Sequence, residues 1–147
     1  AKQNFNEAKR IIDINFTSIV AWINAITTKE RINKRMGLWV FTSVAADRGR
    51  PSNYLYGAAK AALCILCEGL LLKSFDKPFM VRIIKPGFVF TRMSKKIAPK
   101  ILSVNPKSVA ISLLRNPNKS GFEYIPWWWS PIMILIKILP KKLAAKL

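Results

Sequence analysis

Apolar residues recur at helical spacing along the start of the chain, and they predict one long amphipathic helix over residues 1–33. The apolar stripe is formed by Ile12, Ile19, Trp22 and Ile26. Asn15 lies on the same stripe. Because a buried amide must find hydrogen-bond partners, Asn15 is either a structural residue or part of a site.

Runs rich in apolar, β-branched and aromatic residues predict three strands, and the first of them carries no charge. These runs span residues 38–44, 79–84 and 122–125, and the second of them fits a central parallel strand. Two helices are predicted as well, one from the Ala and Leu content of residues 54–75 and one from the proline that begins residues 106–115.

The polar residues with the clearest chemical meaning lie at the end of the first predicted strand and in the helix that follows it. Ser43 is at the strand end, and Tyr56 and Lys60 share a helix face because they are four residues apart. A neighbouring ammonium favours the phenolate form of a tyrosine, so Tyr56 could exchange a proton with a substrate hydroxyl or carbonyl. Such pairs are also common on ordinary helices, so this pair alone does not establish a site.

Ser43, Tyr56 and Lys60, followed by Ile-Lys-Pro-Gly-Phe-Val-Phe-Thr at residues 84–91, resemble the pattern of the short-chain dehydrogenase/reductase family. The resemblance implies a doubly wound α/β fold and the interconversion of carbonyls and alcohols with NAD or NADP. It implies that Ser43 polarises the substrate, that Tyr56 is the general acid/base, and that Lys60 binds the nicotinamide ribose and assists the tyrosine. Asn15, 28 residues before Ser43, matches the asparagine that supports a water next to the lysine.

The same resemblance assigns cofactor contacts to the segment after the second strand. Pro86 and Gly87 match the turn along the nicotinamide, and Val89 and Thr91 match the positions that hold its carboxamide or phosphate. The implied set of cofactor contacts is completed by Tyr56 and Lys60.

The string over residues 43–60 is similar to a narrower branch of that family, the decaprenylphosphoryl-2-keto-ribose reductases. This similarity implies a lipid-linked sugar carbonyl as substrate and favours NADPH as the reductant. The choice between NADP and NAD stays open, because the residue that selects the cofactor is not among these 147 residues.

The resemblance covers residues 5–125, which correspond to the latter half of the family's fold, and the family's Gly-rich cofactor turn is not in this sequence. We therefore expect residues 1–126 to be the C-terminal half of a doubly wound Rossmann fold, with the cofactor half missing upstream. Residues 127–147 would form a separate aromatic and basic segment. The alternatives are that the chain is a catalytically inactive fragment or a basic protein that binds a membrane surface.

The formal net charge of +18, with no histidine, suggests either nucleic acid or an anionic membrane as a partner. The basic residues are spread along the whole chain and do not gather in one arm, which disfavours nucleic acid. The lack of histidine excludes Ser-His-Asp catalysis and the usual catalytic zinc ligand sets, so no metal site is predicted.

Two cysteines, Cys64 and Cys67, lie in the middle of a predicted helix. A redox dithiol normally lies at a helix start, so we expect buried free thiols in a reducing compartment. The expected location is cytoplasmic, either free or peripheral at the inner membrane face.

Charged segments follow each of the first two strands. In the first, Asp47, Arg48 and Arg50 either contact an anionic substrate or are solvated. The second, residues 91–103, corresponds to the family's substrate lid and is expected to be mobile. Its basic residues are Arg92, Lys95, Lys96 and Lys100.

The C-terminal residues combine three consecutive tryptophans, a short apolar run and several lysines. The run is shorter than the ~20 residues that span a bilayer. It is therefore either an anchor at a membrane surface or a helix that covers a substrate pocket or a subunit interface. The family resemblance also implies a homo-oligomer, in which the helices over residues 1–33 and 54–75 pack against a partner.

Overall fold

A three-stranded parallel sheet forms the centre of the computed structural model, which describes residues 4–91, 94 and 99–146. Its strands are β1 (Met36–Phe41), β2 (Phe79–Pro86) and β5 (Gly121–Ile125), and β2 lies between the other two. Within the described residues β2 is therefore the central strand, as the sequence predicts. A two-residue strand β3 (Phe88–Val89) pairs in parallel with β4 (Ser103–Val104) beside this sheet.

One face of the sheet is covered by α2 (Ser18–Ile26) and α3 (Tyr54–Lys73), and α1 (Phe5–Ile12) packs against α3. A π-helical turn, Asp13–Thr17, joins α1 to α2. The core on this face combines strand and helix residues, namely Val40, Val81, Ile83, Leu63, Cys67, Leu70 and Ile23. Both cysteines are buried free thiols, as expected, and burial raises the pKa of Cys67 to about 12.

The first helix ends seven residues earlier than the predicted boundary at residue 33. At its end the Thr27 hydroxyl donates to the Ile23 carbonyl oxygen at 2.8 Å, and the Thr27 backbone leaves the helical region. Threonine side chains that bond to nearby carbonyls compete with helix continuation, which gives the stop a local cause. The predicted stripe is also wrong at Trp22, whose side chain is 71% exposed.

The other face of the sheet packs against α4 (Pro106–Leu114), which begins one residue after the N-cap Asn105. Asn105 accepts a hydrogen bond from the Lys107 backbone N–H at 2.9 Å. The cap followed by proline confirms the predicted helix start. The core here consists of Ile84, Ile125, Val109 and Leu113.

The C-terminal residues form α5 (Trp129–Ile138) and the short α6 (Lys141–Ala144). Trp129 and Met133 are buried and pack with Val44, which lies just beyond the carboxyl end of β1. One side of α5 therefore covers the edge of the sheet where the parallel strands end.

The predicted lid residues Arg92, Lys95 and Lys96 lie outside the described part of the chain. Among the described helices, α3 is the one long and apolar enough to cross a bilayer. Its inner face is buried against the sheet, with Leu63 and Cys67 fully enclosed, so α3 is a core helix of this α/β unit.

Candidate active site

Ser43 follows the carboxyl end of β1 and caps a single 3-10 turn, Val44–Ala46. Its Oγ accepts a hydrogen bond from the Ala45 backbone N–H at 3.1 Å, which fixes the side chain. No acceptor for the Ser43 hydroxyl proton is present among the described residues. The hydroxyl can therefore donate to an outside oxygen.

Tyr56 lies in the first turn of α3 and lines a cleft of about 340 Å³. The cleft is walled by Ile11 and by the consecutive residues Pro51, Ser52, Asn53, Tyr54 and Leu55. Within the described residues no hydrogen bond involves the Tyr56 hydroxyl. Tyr56 is half-buried, so its ring is held while its hydroxyl stays available for chemistry.

Lys60 is buried one turn further along α3, with 8% of its surface exposed. Its Nζ lies 5.8 Å from the centre of the Tyr56 ring and donates to the Phe41 carbonyl oxygen at 3.2 Å. Burial lowers the pKa of Lys60, because desolvation disfavours the ammonium form. An ammonium has three N–H groups, and Phe41 O is the one acceptor found in the described part of the chain.

Asn15 lies in the π-helical turn that packs against α3. Its side-chain amide donates to the Ile11 carbonyl oxygen at 3.0 Å. π-helical turns are rare and often mark functional positions. Asn15 therefore lies in a turn next to α3, the helix that carries Tyr56 and Lys60. Within the described residues, no hydrogen bond joins Asn15 to Lys60.

Of the predicted cofactor residues beyond Tyr56 and Lys60, two line a second cleft, on the opposite face of the sheet. Pro86 and Val89 line this apolar cleft of about 440 Å³ together with Trp39, Phe41 and residues of α4. Thr91 is exposed and bonds to Ser94, at 3.0 Å from its backbone N–H to Ser94 Oγ. The structure therefore does not bring these residues into the cleft of Tyr56. The two clefts are linked through Phe41, whose carbonyl oxygen binds Lys60.

Gly87 lies against the indole ring of Trp129. A Cβ atom at this position would come within 1.8 Å of Trp129 Nε1, so only glycine fits. The Trp129 N–H is buried and has no hydrogen-bond partner among the described residues. The family resemblance implies that the turn at Gly87 lies along the nicotinamide, and in this structure the ring on the Cβ side of Gly87 is the Trp129 indole.

A buried ionic cluster joins the carboxyl ends of all three main strands, and the sequence analysis did not find it. The Asp47 carboxylate accepts from Lys85 Nζ and from the Tyr124 hydroxyl, both at 2.5 Å. Burial and this hydrogen bond raise the pKa of Tyr124. Lys85 and Tyr124 are 38 and 77 residues from Asp47 in the sequence, so local patterns do not reveal the cluster. Its one signal in the sequence is a charged residue, Lys85, at the end of an apolar strand.

Arg48 does not fit either prediction, because it is neither at a substrate site nor solvated. Its guanidinium donates to the carbonyl oxygens of Ile136, Lys137 and Leu139, the latter two at 2.8 Å. These carbonyls lie at the C-terminal end of α5, where a cation also complements the helix dipole. Arg48 thus anchors α5 to the loop that follows Ser43.

Gly57 brings the segments of Ser43 and Tyr56 together. A Cβ atom at Gly57 would lie 2.9 Å from the Ala45 carbonyl oxygen, so a side chain there would push α3 away from the turn after Ser43. We expect Gly57→Ala to lower the free energy of unfolding by about 1–3 kcal/mol. Gly69→Ala is the matched control in the same helix, because nothing lies within 4 Å of its added carbon.

Urea unfolding of the native polypeptide checks this expectation. The free energy of unfolding of Gly69→Ala should rise by up to about 1 kcal/mol, since alanine favours a helix more than glycine does. Equal effects of the two substitutions would contradict the close contact at Gly57.

Comparison with known proteins identifies the family. The short chain dehydrogenase family model matches residues 1–102. An uncharacterized oxidoreductase of Mycobacterium tuberculosis is 32% identical over 142 residues, covering 96% of this chain and 57% of the relative. A 3-oxoacyl-[acyl-carrier-protein] reductase of Chlamydia muridarum is 29% identical over 114 residues, covering 77% of this chain and 46% of the relative.

Solved structures show the same fold. A short chain dehydrogenase from Burkholderia cenocepacia in complex with NADP superposes with a TM-score of 0.69 at 19% identity, covering 83% of this chain and 52% of the other. A 4-hydroxyisoleucine dehydrogenase mutant complexed with NADH and succinate also gives 0.69, at 17% identity, covering 84% and 58%.

The chain spans about half the length of the curated relatives that it matches. None of the names just given concerns a decaprenylphosphoryl sugar, so membership of that branch stays a prediction. The family itself follows from the sequence match to residues 1–102 together with the parallel α/β fold, and the chain belongs to the short-chain dehydrogenase family of oxidoreductases.

Proposed function

We propose that this chain carries the catalytic residues of an NAD(P)-dependent oxidoreductase that interconverts a carbonyl and an alcohol. The observation that carries the proposal is Lys60, a buried ammonium next to the Tyr56 ring with one described hydrogen-bond acceptor. Ser43 supports it, because its hydroxyl proton is uncommitted at the same end of β1.

Lys60 fits the ribose at the nicotinamide end of such a cofactor, because it has N–H groups to spare for ribose hydroxyls. Pro86 and Val89 offer apolar surface in the cleft on the other face of the sheet, which meets the Lys60 site at Phe41. The family's Gly-rich turn is not among these residues, so no contact to the cofactor pyrophosphate is assigned to them. Related structures bound to NADP or NADH support the cofactor class.

The bound nicotinamide supplies or accepts a hydride. In the reduction direction Ser43 donates a hydrogen bond to the carbonyl oxygen, which polarises the carbon–oxygen bond. Tyr56 transfers its proton to that oxygen as negative charge develops there, and an alcohol and a phenolate result. Lys60 stabilises the phenolate by its positive charge. Asn15 supports the water through which Tyr56 regains a proton.

Lys60 is costly for the fold, which supports a functional role. Its pKa is lower in the folded protein than in the unfolded chain, so the unfolded state binds more protons between the two values. Stability is therefore lowest below the folded-state pKa and rises with pH until the unfolded-state pKa is passed. A hydrophobic side chain at position 60 would avoid this loss of stability, so the lysine supports a role in the reaction.

Lys60→Met is the variant that tests the proposal. We expect the affinity of the native polypeptide for NADPH or NADH to fall about 10- to 100-fold, because a charged hydrogen bond contributes roughly 1.5–3 kcal/mol. Nicotinamide fluorescence titration measures this. Lys73→Met, at an exposed position of the same helix, should change nothing. Equal affinities of the native protein and Lys60→Met would refute the proposed role of Lys60.

The choice of reductant and substrate rests on the resemblance of residues 43–60 to the decaprenylphosphoryl-2-keto-ribose reductases. We propose NADPH as the reductant and a lipid-linked sugar carbonyl as the substrate. A cytoplasmic site, free or at the inner membrane face, is consistent with the free thiols of Cys64 and Cys67. Exposed apolar side chains on the outer sides of α1 to α3 support a homo-oligomer, and they include Ile14, Trp22, Ile65 and Leu72.

A further inference from the structure

On the outer face of α5, four of the five exposed side chains are apolar, and the fifth is Lys137. Pro131, Ile134, Leu135 and Ile138 recur at helical spacing and are all exposed. The exposed fractions of Ile134, Leu135 and Ile138 are 62%, 59% and 73%. A surface helix normally turns charged or polar residues outward, so a contiguous apolar face of this kind indicates an interaction surface.

This face belongs to a fixed part of the fold. On the inner side of α5, Trp129 and Met133 are 3% and 1% exposed. Trp129 packs edge-on against Phe88, with ring centres 5.5 Å apart, and Arg48 binds the carbonyl groups at the helix end. The exposed side chains are therefore held outward by the packing of the opposite side.

In the sequence, a tryptophan precedes the apolar face and lysines follow it. Trp127, just before α5, is 75% exposed, and Leu143 of α6 is 52% exposed. Residues 124–147 contain no acidic residue and four lysines, Lys137, Lys141, Lys142 and Lys146. Tryptophan favours the boundary between water and lipid, and lysine is attracted to anionic headgroups.

We propose that the outer face of α5, with Trp127, Leu143 and the adjacent lysines, docks on an anionic membrane surface. The ten residues of α5 extend only about 15 Å, so the helix would lie in the interface plane and would not span the bilayer. A second copy of the chain fits this face less well, because a twofold contact would bring the same four lysines together.

Docking in this way would place the site next to the lipid. The inner side of α5 packs on Val44, the residue after Ser43, so the helix lies between the bilayer and the carboxyl end of β1. A substrate with a lipid tail could then reach Ser43 and Tyr56 from the membrane. The docking itself does not depend on the proposed activity.

Vesicle flotation of the native polypeptide tests the proposal. The probes are vesicles of phosphatidylcholine alone and of phosphatidylcholine mixed equally with phosphatidylserine. The native protein should bind the anionic vesicles, and Ile134→Ser with Ile138→Ser should weaken that binding by about tenfold or more. The matched control, Phe75→Ser with Ile111→Ser, changes two exposed apolar residues outside α5 and should have no such effect.

The control separates docking by α5 from general attraction of a chain with net charge +18. Equal binding by the native protein and both double variants would overturn the proposal. It would also be overturned if the α5 variant changed only the oligomeric state, measured by sedimentation without vesicles, since a second copy would then cover the face. Nicotinamide affinity, measured on the same variants, should stay unchanged and so reports separately on the proposed activity.

Discussion

Tyr56→Phe is expected to lower turnover by about 10³-fold, although it removes a single oxygen atom. The variant cannot deliver a proton to the substrate oxygen, while the ring, its contact with Lys60 and the cleft stay in place. No described residue bonds to the Tyr56 hydroxyl, so its loss leaves no buried partner unsatisfied. The free energy of unfolding should therefore change by less than about 0.5 kcal/mol.

Tyr54→Phe is the matched control for this variant. Tyr54 lines the same cleft and is 57% exposed, but alanine occupies the position four residues later. Turnover of the native polypeptide and of both variants is measured at saturating nicotinamide. The loss should be confined to kcat of the Tyr56 variant, because the phenol acts in the transition state. A comparable loss in both variants would show that the cleft matters and that the proton donor lies elsewhere.

Arg82→Ala is expected to destabilise the fold by about 3–5 kcal/mol, the largest effect on stability that we predict. Arg82 is 1% exposed, and its guanidinium binds Glu123 at 2.7 Å and the Leu113 and Asn116 carbonyl oxygens at 2.9 and 3.0 Å. It also lies 4.8 Å from the centre of the Trp39 ring. One side chain therefore ties β1, β2, β5 and the end of α4 together.

Removing that side chain would leave a carboxylate and two carbonyl groups without their main partner. Arg10→Ala, on an exposed face of α1, should change stability by less than about 0.5 kcal/mol. The double variant Arg82→Met with Glu123→Met should recover part of the loss, because no unpaired charge remains buried. Urea unfolding measures the stability of the two single variants and of the double variant. A loss of less than about 1 kcal/mol in the free energy of unfolding of Arg82→Ala would contradict the proposed role of Arg82.

Local patterns explain most of the fold. The uncharged run at β1, the apolar run at β2, the Ala and Leu content of α3, and the Asn-Pro start of α4 each act within a few residues, and each predicted element is present. The error at residues 27–33 has a local cause too, since the Thr27 side chain bonds within its own helix end.

The ionic clusters could not be predicted in this way. Asp47 with Lys85 and Tyr124, and Arg48 with the end of α5, join residues 38 to 91 positions apart. Their pairing depends on which strand ends the fold places side by side. Arg82 lies in the middle of an apolar strand, and this position in the sequence does not reveal its partners.

The candidate site was predicted by family resemblance more than by local pattern. Two contacts bring the helix of Tyr56 and Lys60 close to the segment of Ser43. Gly57 lets α3 approach Ala45, and Lys60 donates to the Phe41 carbonyl oxygen. Neither contact can be predicted from the spacing of a tyrosine and a lysine in the sequence. Pro86 and Val89 lie at a different cleft, and that separation depends on the two faces of the sheet.

The most direct test of the account is alcohol formation by the native polypeptide, given NADPH or NADH and a panel of ketones, aldehydes and keto sugars. The account predicts an alcohol product that requires the nicotinamide, persists in Tyr54→Phe and is lost in Tyr56→Phe. Alcohol formed at the native rate by Tyr56→Phe would contradict it. So would a native polypeptide that binds nicotinamide saturably and yields no alcohol from any member of the panel.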